Sequence, residues 1–157
     1  MSKTLVLIRH AHRDTDEQTR DNGLSVKGQE QVKKLMKFVE ERWKGQEAVF
    51  LTSPKKRCIE TLTPIAQEFK KKCDVNDYLD EQGSSETTTL YLARIDEFLN
   101  SWKYDGAELT VICSHGDLIP VVIEKLTSAK TGLKKAGYGE IEYFSGESHL
   151  TWLVQKV

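Results

Sequence analysis

The chain has 157 residues, of which 38% are hydrophobic and 30% are charged, and its formal net charge is −1. This size suits a single domain spanning residues 1–157, and the composition excludes a disordered protein. The balanced charge gives no general attraction for nucleic acid or for an anionic membrane, so we expect neither as a partner. Any affinity for anions must therefore come from local clusters of cations.

The sequence lacks the signals of export and of membrane insertion. The apolar run at residues 4–8 is too short for a signal peptide, and no stretch approaches the roughly 20 apolar residues of a membrane span. The three cysteines, Cys58, Cys73 and Cys113, are widely spaced and form no C-x-x-C pair. This pattern is typical of reduced thiols. We therefore expect a cytoplasmic protein that is a monomer.

Continuous apolar runs predict strands that are buried on both faces of a parallel sheet. They lie at residues 4–8, 48–52 and 109–114. The end of the chain differs, because residues 141–144 and 150–154 predict an antiparallel hairpin around Gly146 at one edge of the sheet. The polar, turn-rich stretch 71–88 predicts a loop over the functional site.

Helices are predicted where apolar residues recur at helical spacing. These stripes lie at residues 32–43, 58–69, 91–102 and 118–126. We expect Ser25 to cap the first helix, and Ser53 to cap the second with Pro54 in its first position. The repeated order of strand and helix predicts an α/β sandwich with right-handed crossovers.

Polar side chains follow three of the predicted strands. The segments are Arg9-His10-Ala11-His12-Arg13, Ser53-Pro54-Lys55-Lys56-Arg57 and Ser114-His115-Gly116-Asp117. In open α/β sheets, ligands bind beyond the carboxyl ends of the strands. Guanidinium forks match phosphate oxygens in pairs, and the N-terminus of a helix attracts anions. The sequence therefore predicts a phosphate pocket at this edge of the sheet.

Four segments resemble motifs of the histidine phosphatase superfamily. Arg9-His10-Ala11 resembles its Arg-His-Gly signature, and residues 24–31 resemble the Leu-Ser/Thr-x-x-Gly-x-x-Gln segment that follows it. Ser53-Pro54-x-x-Arg57-x-x-x-Thr61 resembles the stretch with a second phosphate-binding arginine, and Ser114-His115-Gly116 resembles the stretch with a second histidine. The four motifs occur in the family's order and cover nearly the whole chain, which makes the resemblance specific.

The resemblance implies a phosphoglycerate mutase-like fold, a three-layer α/β/α sandwich with a mostly parallel sheet and an antiparallel edge. It also implies a phosphatase that needs no metal and no cofactor, in which His10 attacks phosphorus and becomes a phosphohistidine. Arg9, Arg57 and His115 would bind the non-bridging oxygens and stabilise the transition state, with Gly116 beside them.

The proton donor implied by the resemblance is Glu81, because Leu79-Asp80-Glu81-Gln82-Gly83 resembles the Leu-x-Glu-x-Gly context of the family's acid. Asp117 is the second candidate. The chain departs from the family pattern at Ala11, which replaces the usual glycine, and at Arg13, which replaces a small hydroxyl residue.

Four cations are expected to line the rim of the pocket: His12, Arg13, Lys55 and Lys56. Such a basic rim favours an acidic or multiply phosphorylated substrate, with His12 and Arg13 as further substrate-binding candidates.

The short chain resembles the SixA-type branch, which implies that the substrate is a phosphohistidine on a protein. One alternative is a phosphatase of small phosphoesters, and another is a module that binds phosphate without catalysis. A third is a metallohydrolase built on His10-Ala11-His12, since H-x-H pairs chelate zinc.

Overall fold

The structure is a computed structural model that describes residues 2–17 and 20–157. Six strands and four α-helices are found within these residues, together with a short 3-10 helix. In chain order they are β1 (Lys3–Arg9), α1 (Val26–Trp43), β2 (Val49–Thr52), α2 (Lys56–Glu68), β3 (Cys73–Val75), the 3-10 helix (Asp77–Leu79), α3 (Thr88–Asp105), β4 (Leu109–Ser114), α4 (Leu118–Thr127), β5 (Tyr138–Phe144) and β6 (Glu147–Val154).

The strands form one sheet in the order β3-β2-β4-β1-β5-β6. Strands β1, β2, β3 and β4 are parallel, whereas β5 runs antiparallel to β1 and β6 runs antiparallel to β5. The hairpin turn at Ser145 and Gly146 has positive φ at both residues, 54° and 83°, which is the geometry of a type I′ turn. The predicted sandwich with a mostly parallel sheet and an antiparallel edge is confirmed.

Strand β1 is apolar from Leu5 to Ile8 because both faces of the sheet are covered there. In β1, Leu5 and Leu7 pack in a cluster with α3 and α4, while Val6 and Ile8 pack in a second cluster with α1 and α2. All four side chains are fully buried. A polar residue on either face would lose its hydration without gaining a partner, which explains the continuous apolar run.

The carboxyl ends of three parallel strands lie side by side. Arg9 in β1 is in register with Ser114 in β4, and Thr52 in β2 is in register with Cys113 in β4. Just beyond the sheet, the backbone N–H of His10 donates to the carbonyl of Ser114 at 3.1 Å. The three predicted polar segments therefore leave the sheet next to one another.

Two local predictions need correction. Of residues 71–88, only 80–87 form the predicted loop, in which Glu81 contacts Arg57. Strand β3 was not predicted and pairs with β2 at the sheet edge; with only three residues and a central Asp74, it is too short and too polar for a hydrophobic pattern. Helix α2 begins at Lys56 with Lys55 at its N-cap, so Ser53 is not the cap and Pro54 is not in the first turn. By contrast, Ser25 does cap α1 and accepts from the backbone N–H of Gly28.

No helix in the described part of the chain combines the length and the apolar character that crossing a membrane requires.

Candidate active site

His10 follows directly after β1 and is 5% exposed. Its Nδ1 lies 2.8 Å from the carbonyl oxygen of Ala11, and Nδ1 must carry a proton to donate to that oxygen. Burial lowers the pKa of His10 to about 3; the nearby side chains of His115, Arg57 and Arg9 act in the same direction, and the Ala11 carbonyl opposes them. The ring is therefore neutral at physiological pH, with an unprotonated Nε2.

Arg57 lies in the first turn of α2 and joins the other side chains of the site. Its Nε is 3.4 Å from His10 Nε2, and its Nη2 is 2.8 Å from Glu81 Oε2 and 3.2 Å from His115 Nδ1. Its side chain is only 5% exposed. A guanidinium in this position can also donate to the oxygens of a bound phosphate.

Thr61 is the last residue of the motif that contains Arg57, and its hydrogen bonds show why the motif includes it. Its hydroxyl donates to the Arg57 carbonyl at 2.6 Å and accepts from the backbone N–H of Ala11 at 3.0 Å. Because Thr61 is fully buried, it fixes helix α2 against the segment that contains His10.

His115 follows β4 and faces His10, with 5.5 Å between the ring centroids. Its Nε2 lies 2.7 Å from the hydroxyl of Ser53. A guanidinium can only donate, so His115 Nδ1 accepts from Arg57 and Nε2 carries the proton that it donates to Ser53. The hydroxyl that was predicted to cap α2 thus orients a histidine instead.

Arg9 ends β1, and its Nη1 donates to the carbonyl of Leu133 at 3.0 Å. Its buried Nε has no hydrogen-bond partner within residues 2–17 and 20–157. A Cβ added to Gly116 would lie 2.7 Å from Arg9 Cζ, so only glycine leaves room for the guanidinium here. Burial lowers the pKa of Arg9, and the carboxylate of Asp117 opposes this shift.

Residues 24–31 hold the backbone of His12. Ser25 Oγ lies 2.7 Å from His12 Nδ1, and Gln31 Oε1 accepts from the backbone N–H of His12 at 2.8 Å. A Cβ on Gly28 would lie 2.0 Å from the His12 carbonyl oxygen, so helix α1 reaches this position only with glycine. This motif therefore supports the segment after His10 and does not line the site around it.

The two proposed proton donors differ in their surroundings. The Glu81 side chain is 40% exposed, and its Oε2 is 3.9 Å from His115 Nδ1 in addition to its contact with Arg57. Asp117 Oδ2 accepts from the Tyr91 hydroxyl at 2.9 Å and from the backbone N–H of Gln82 at 3.0 Å. Burial and Asp117 raise the pKa of Tyr91, so the hydroxyl stays a donor. Asp117 is thus engaged in fixing the Glu81 loop.

These side chains surround a cavity of about 490 Å³, here called the strand-end hollow. Its lining is Arg9, His10, Arg13, Arg57, Glu81, Gln82, His115, Gly116, Asp117 and Lys135. Of these residues, Lys135 and Gln82 were not predicted as part of the site, and neither was Tyr91, which supports Asp117 from outside the lining. The sequence offered little reason to place Lys135 in the site, because it lies outside the motif segments, just before β5.

The predicted basic rim is only partly present. Arg13 lines the strand-end hollow, but His12 lines a neighbouring pocket instead. The Lys55 amine lies 3.5 Å from Asp80, and the backbone N–H of Lys56 donates to Asp21 at 2.9 Å. Neither lysine lines the hollow, because the start of helix α2 directs Arg57 inward and the two preceding side chains away from it.

The family model described as histidine phosphatase superfamily (branch 1) matches residues 5–89, which is more than half of the chain. This chain belongs to the histidine phosphatase superfamily. It is accordingly a phosphatase, as the motifs at the strand ends predicted. No curated protein matches the sequence.

Solved structures share the fold of this histidine phosphatase at low identity. A mycobacterial hydrolase superposes with a TM-score of 0.80 at 15% identity, and the alignment covers 100% of both chains. A phosphoserine phosphatase from Entamoeba histolytica gives 0.77 at 16% identity over 97% of this chain and 96% of that one. A mycobacterial glucosyl-3-phosphoglycerate phosphatase gives 0.77 at 14% identity over 100% of both. These similarities establish the phosphoglycerate mutase-like fold alone.

The two histidines of the H-x-H pair do not converge in this histidine phosphatase. His10 lines the strand-end hollow, whereas His12 lines the neighbouring pocket. Among the residues that the structure describes, no group of three or more His, Cys, Asp and Glu side chains is arranged to bind a metal ion.

Proposed function

We propose that this histidine phosphatase transfers the phosphoryl group of its substrate to His10 and then to water, without a metal ion. The observation on which the proposal depends is the state of His10, which is buried, neutral and fixed through Nδ1, so that its Nε2 lone pair is available beside Arg57. A nucleophilic histidine must be unprotonated at the attacking nitrogen, and a fixed tautomer lowers the entropic cost of attack.

In the first step, the Nε2 lone pair forms a bond to phosphorus while the bond from phosphorus to the leaving atom breaks. The leaving atom takes a proton from Glu81. Arg9, Arg57 and His115 bind the three non-bridging oxygens and stabilise the charge of the transition state. The two guanidinium groups are donors that are already in place. His115 Nδ1 accepts from Arg57 in the structure, so it donates to a phosphoryl oxygen only after a proton binds there. In the second step, water attacks the phosphohistidine, Glu81 accepts its proton and inorganic phosphate leaves with the regeneration of His10.

For the substrate, we propose a phosphohistidine on a protein, as in the SixA-type branch. The supporting feature is the access to the site, because Glu81 at the mouth of the strand-end hollow is 40% exposed. A phosphohistidine side chain extending from a protein surface can enter an open site of this kind. The bond from phosphorus to imidazole also needs less acid assistance than the bond to an alkoxide.

A phosphatase of small phosphoesters is the second candidate, favoured by the position of Glu81. Its carboxylate lies within 3.9 Å of His115 and 2.8 Å of Arg57, next to the groups that would bind the phosphoryl oxygens. An acid at that place matters most for a substrate with an alkoxide leaving group. Two solved structures of the same fold are named as phosphatases of small phosphoesters.

The Glu81→Gln variant distinguishes the two substrates. We expect kcat for a phosphohistidine protein to fall less than about tenfold, and kcat for an alkyl phosphate to fall by about 10² to 10⁴. The measurement is release of inorganic phosphate from both substrates by both proteins. A large loss with the phosphohistidine protein as well, or turnover of alkyl phosphates alone, would replace the first candidate with the second.

The phosphatase reaction itself is tested with para-nitrophenyl phosphate in the presence of a metal chelator. We expect turnover to be unaffected by the chelator. If the protein binds substrate and releases no phosphate across a wide pH range, it is instead a binding module. If turnover requires stoichiometric zinc, the metallohydrolase alternative replaces our proposal.

We further propose that the protein is a cytoplasmic monomer of one domain. Cys58 and Cys113 are buried and Cys73 is half-buried, and all three are free thiols, as is usual in a reducing compartment. Size-exclusion chromatography coupled to light scattering tests the oligomeric state, and a mass near twice the 17.9 kDa of the chain would contradict it.

A further inference from the structure

A second pocket lies beside the strand-end hollow and shares Arg9 and Lys135 with it. Its volume is about 500 Å³, within the range of cavities that bind small molecules. We call it the basic pocket, after the cations in its lining: Arg9, Lys27, Lys34, Lys134, Lys135 and Lys156. Within the described ranges, no Asp or Glu side chain lines it. This local excess of positive charge contrasts with a chain whose net charge is −1.

The lysine amines of the basic pocket also lack an anionic partner within the described residues, as do those of Lys37 and Lys44. By contrast, Lys33, Lys55, Lys71 and Lys125 each form an ion pair with a carboxylate. In the part of the chain that the structure describes, none of the five lysine amines of the basic pocket forms an ion pair or a hydrogen bond. These amines are therefore available to an anion from outside the chain.

The positive potential also acts on His12, which lines the basic pocket. Burial lowers the pKa of His12, and repulsion from Lys135 and Lys27 lowers it further. Like charges that converge on one cavity repel one another and destabilise the fold, unless an anion compensates them. The arrangement is thus suited to a ligand with more than one negative charge.

We propose that the basic pocket binds a second phosphate group of the same substrate molecule whose first phosphoryl group occupies the strand-end hollow. A phosphate monoester has a charge of about −1.5 to −2 at neutral pH, so it compensates up to two cations where a carboxylate compensates one. The shared Arg9 and Lys135 place the two phosphate sites next to each other. The substrate is then a bisphosphorylated molecule, which is a case of the second substrate candidate, the small phosphoesters, and not of the phosphohistidine protein. The identity of the first site rests on the proposed function, but the binding test below does not.

The test measures binding to the His10→Ala variant, so that no substrate is consumed. The probes are a series of α,ω-alkanediol bisphosphates and the alkyl monophosphates of the same chain lengths, titrated by calorimetry at low ionic strength. For at least one chain length, we expect the bisphosphate to bind about tenfold tighter than the monophosphate. We expect added salt to remove most of this advantage, because the lysine amines are solvent-accessible.

The pocket variant is Lys27→Glu combined with Lys34→Glu, made in the His10→Ala background. Both side chains are exposed on helix α1, so the variant should fold, and neither lines the strand-end hollow. We expect the ratio of bisphosphate to monophosphate affinity to fall by about tenfold, because attraction to the second phosphate becomes repulsion. The ratio divides out changes at the strand-end hollow that affect both probes equally, and the general effect of net charge is measured by the control.

The matched control is Lys37→Glu combined with Lys44→Glu. These two lysines are also exposed, one within helix α1 and one at its C-cap, but they line neither cavity. The control changes the net charge of the chain by the same amount. We expect it to leave the affinity ratio unchanged.

Three results would overturn the inference. Equal affinity for bisphosphates and monophosphates at every chain length would show that the basic pocket takes no second phosphate of a substrate. An equal loss in the control and pocket variants would reduce the effect to net charge. Binding of free inorganic phosphate that depends on Lys27 and Lys34, without any advantage for bisphosphates, would make the pocket a site for free phosphate instead. A lack of phosphatase activity would overturn the proposed function and leave the binding result intact.

Discussion

The strand-end hollow and the basic pocket are two anion-attracting regions that share a wall but are built differently. In the hollow, His10, Arg57 and His115 are 5%, 4% and 2% exposed, and hydrogen bonds connect them to one another. In the basic pocket, four of the five lysines are exposed, and their amines have no ion-pair partner in the described residues.

This difference implies that the strand-end hollow serves catalysis and the basic pocket serves binding. Buried donors that are already oriented can stabilise a transition state, because they need no reorganisation during the reaction and solvent does not screen them. Exposed ammonium groups on flexible stems attract charge, but salt screens them and each contact contributes little. Changes in the hollow should therefore alter the rate, whereas changes in the basic pocket should alter binding.

The largest effect is expected for His10→Ala, which should lower kcat for para-nitrophenyl phosphate by at least about 10⁴-fold because the nucleophile is lost. The measurement is steady-state hydrolysis with the purified protein. His149→Ala is the control, since His149 is an exposed residue of β6, and its activity should equal that of the parent. Residual activity of the His10→Ala variant near the parent rate would place the chemistry elsewhere.

Replacing Arg57 by Lys should lower kcat by about 10² to 10³. Lysine keeps the charge but cannot reproduce the fork that contacts His10, His115 and Glu81. The exposed Arg20 offers a control, and Arg20→Lys should have no effect. If Arg57→Lys changed KM alone, Arg57 would bind the ground state and the transition state equally.

Gly116→Ala should lower kcat/KM by about tenfold, since the new methyl group would displace the guanidinium of Arg9. Because Arg9 lines both cavities, the variant should also weaken binding of the bisphosphate probe. Gly139→Ala is the control, as a Cβ there lies 3.6 Å from its nearest neighbour, an ordinary contact. Equal activity of the two variants would show that Arg9 has room to adapt.

The pH dependence of stability tests the burial of His10. Its pKa is about 3 in the folded protein, below the value of 6.5 for an unperturbed histidine. The unfolded chain therefore binds more protons between these values, so the free energy of unfolding should fall as pH decreases through that window. We expect His10 to contribute roughly 2 kcal/mol of the loss between pH 7 and pH 4.5.

Urea unfolding of the parent and of His10→Gln measures this contribution. The variant should show a shallower decrease in the same pH window, because glutamine does not titrate. Parallel curves for the two proteins would mean that His10 titrates normally in the folded state.

Much of the architecture could be predicted from periodicity. The runs Leu5–Ile8 and Val111–Cys113 are apolar at every position because both faces of the sheet are covered, and the turn at Gly146 separates two strands that pair. Strand β3 could not be predicted, since its three residues are ordered by pairing with β2 and not by their own hydrophobic pattern.

Side-chain partners were harder to predict than elements. Ser53 stands where an N-cap is expected, yet helix α2 begins later and the hydroxyl contacts His115 instead. His12 is two residues after His10 but lines a different pocket, because Ser25 and Gln31 hold it against α1. In both cases the residue type suited the predicted role, but a contact with a residue from another part of the chain determined the position of the side chain.

The sequence by itself determined the residue types at the strand ends, the order of strands and helices, and the motifs of a histidine phosphatase. These follow from local rules, since each depends on neighbouring residues or on a fixed spacing. Only the tertiary structure decided which cations share a cavity. Lys27 and Lys34 both belong to helix α1, whereas Lys135 lies about one hundred residues further along the chain, and no local pattern links it to them. Chain packing brings them together, because the loop before β5 lies against the first turns of α1 at the same edge of the sheet as His10.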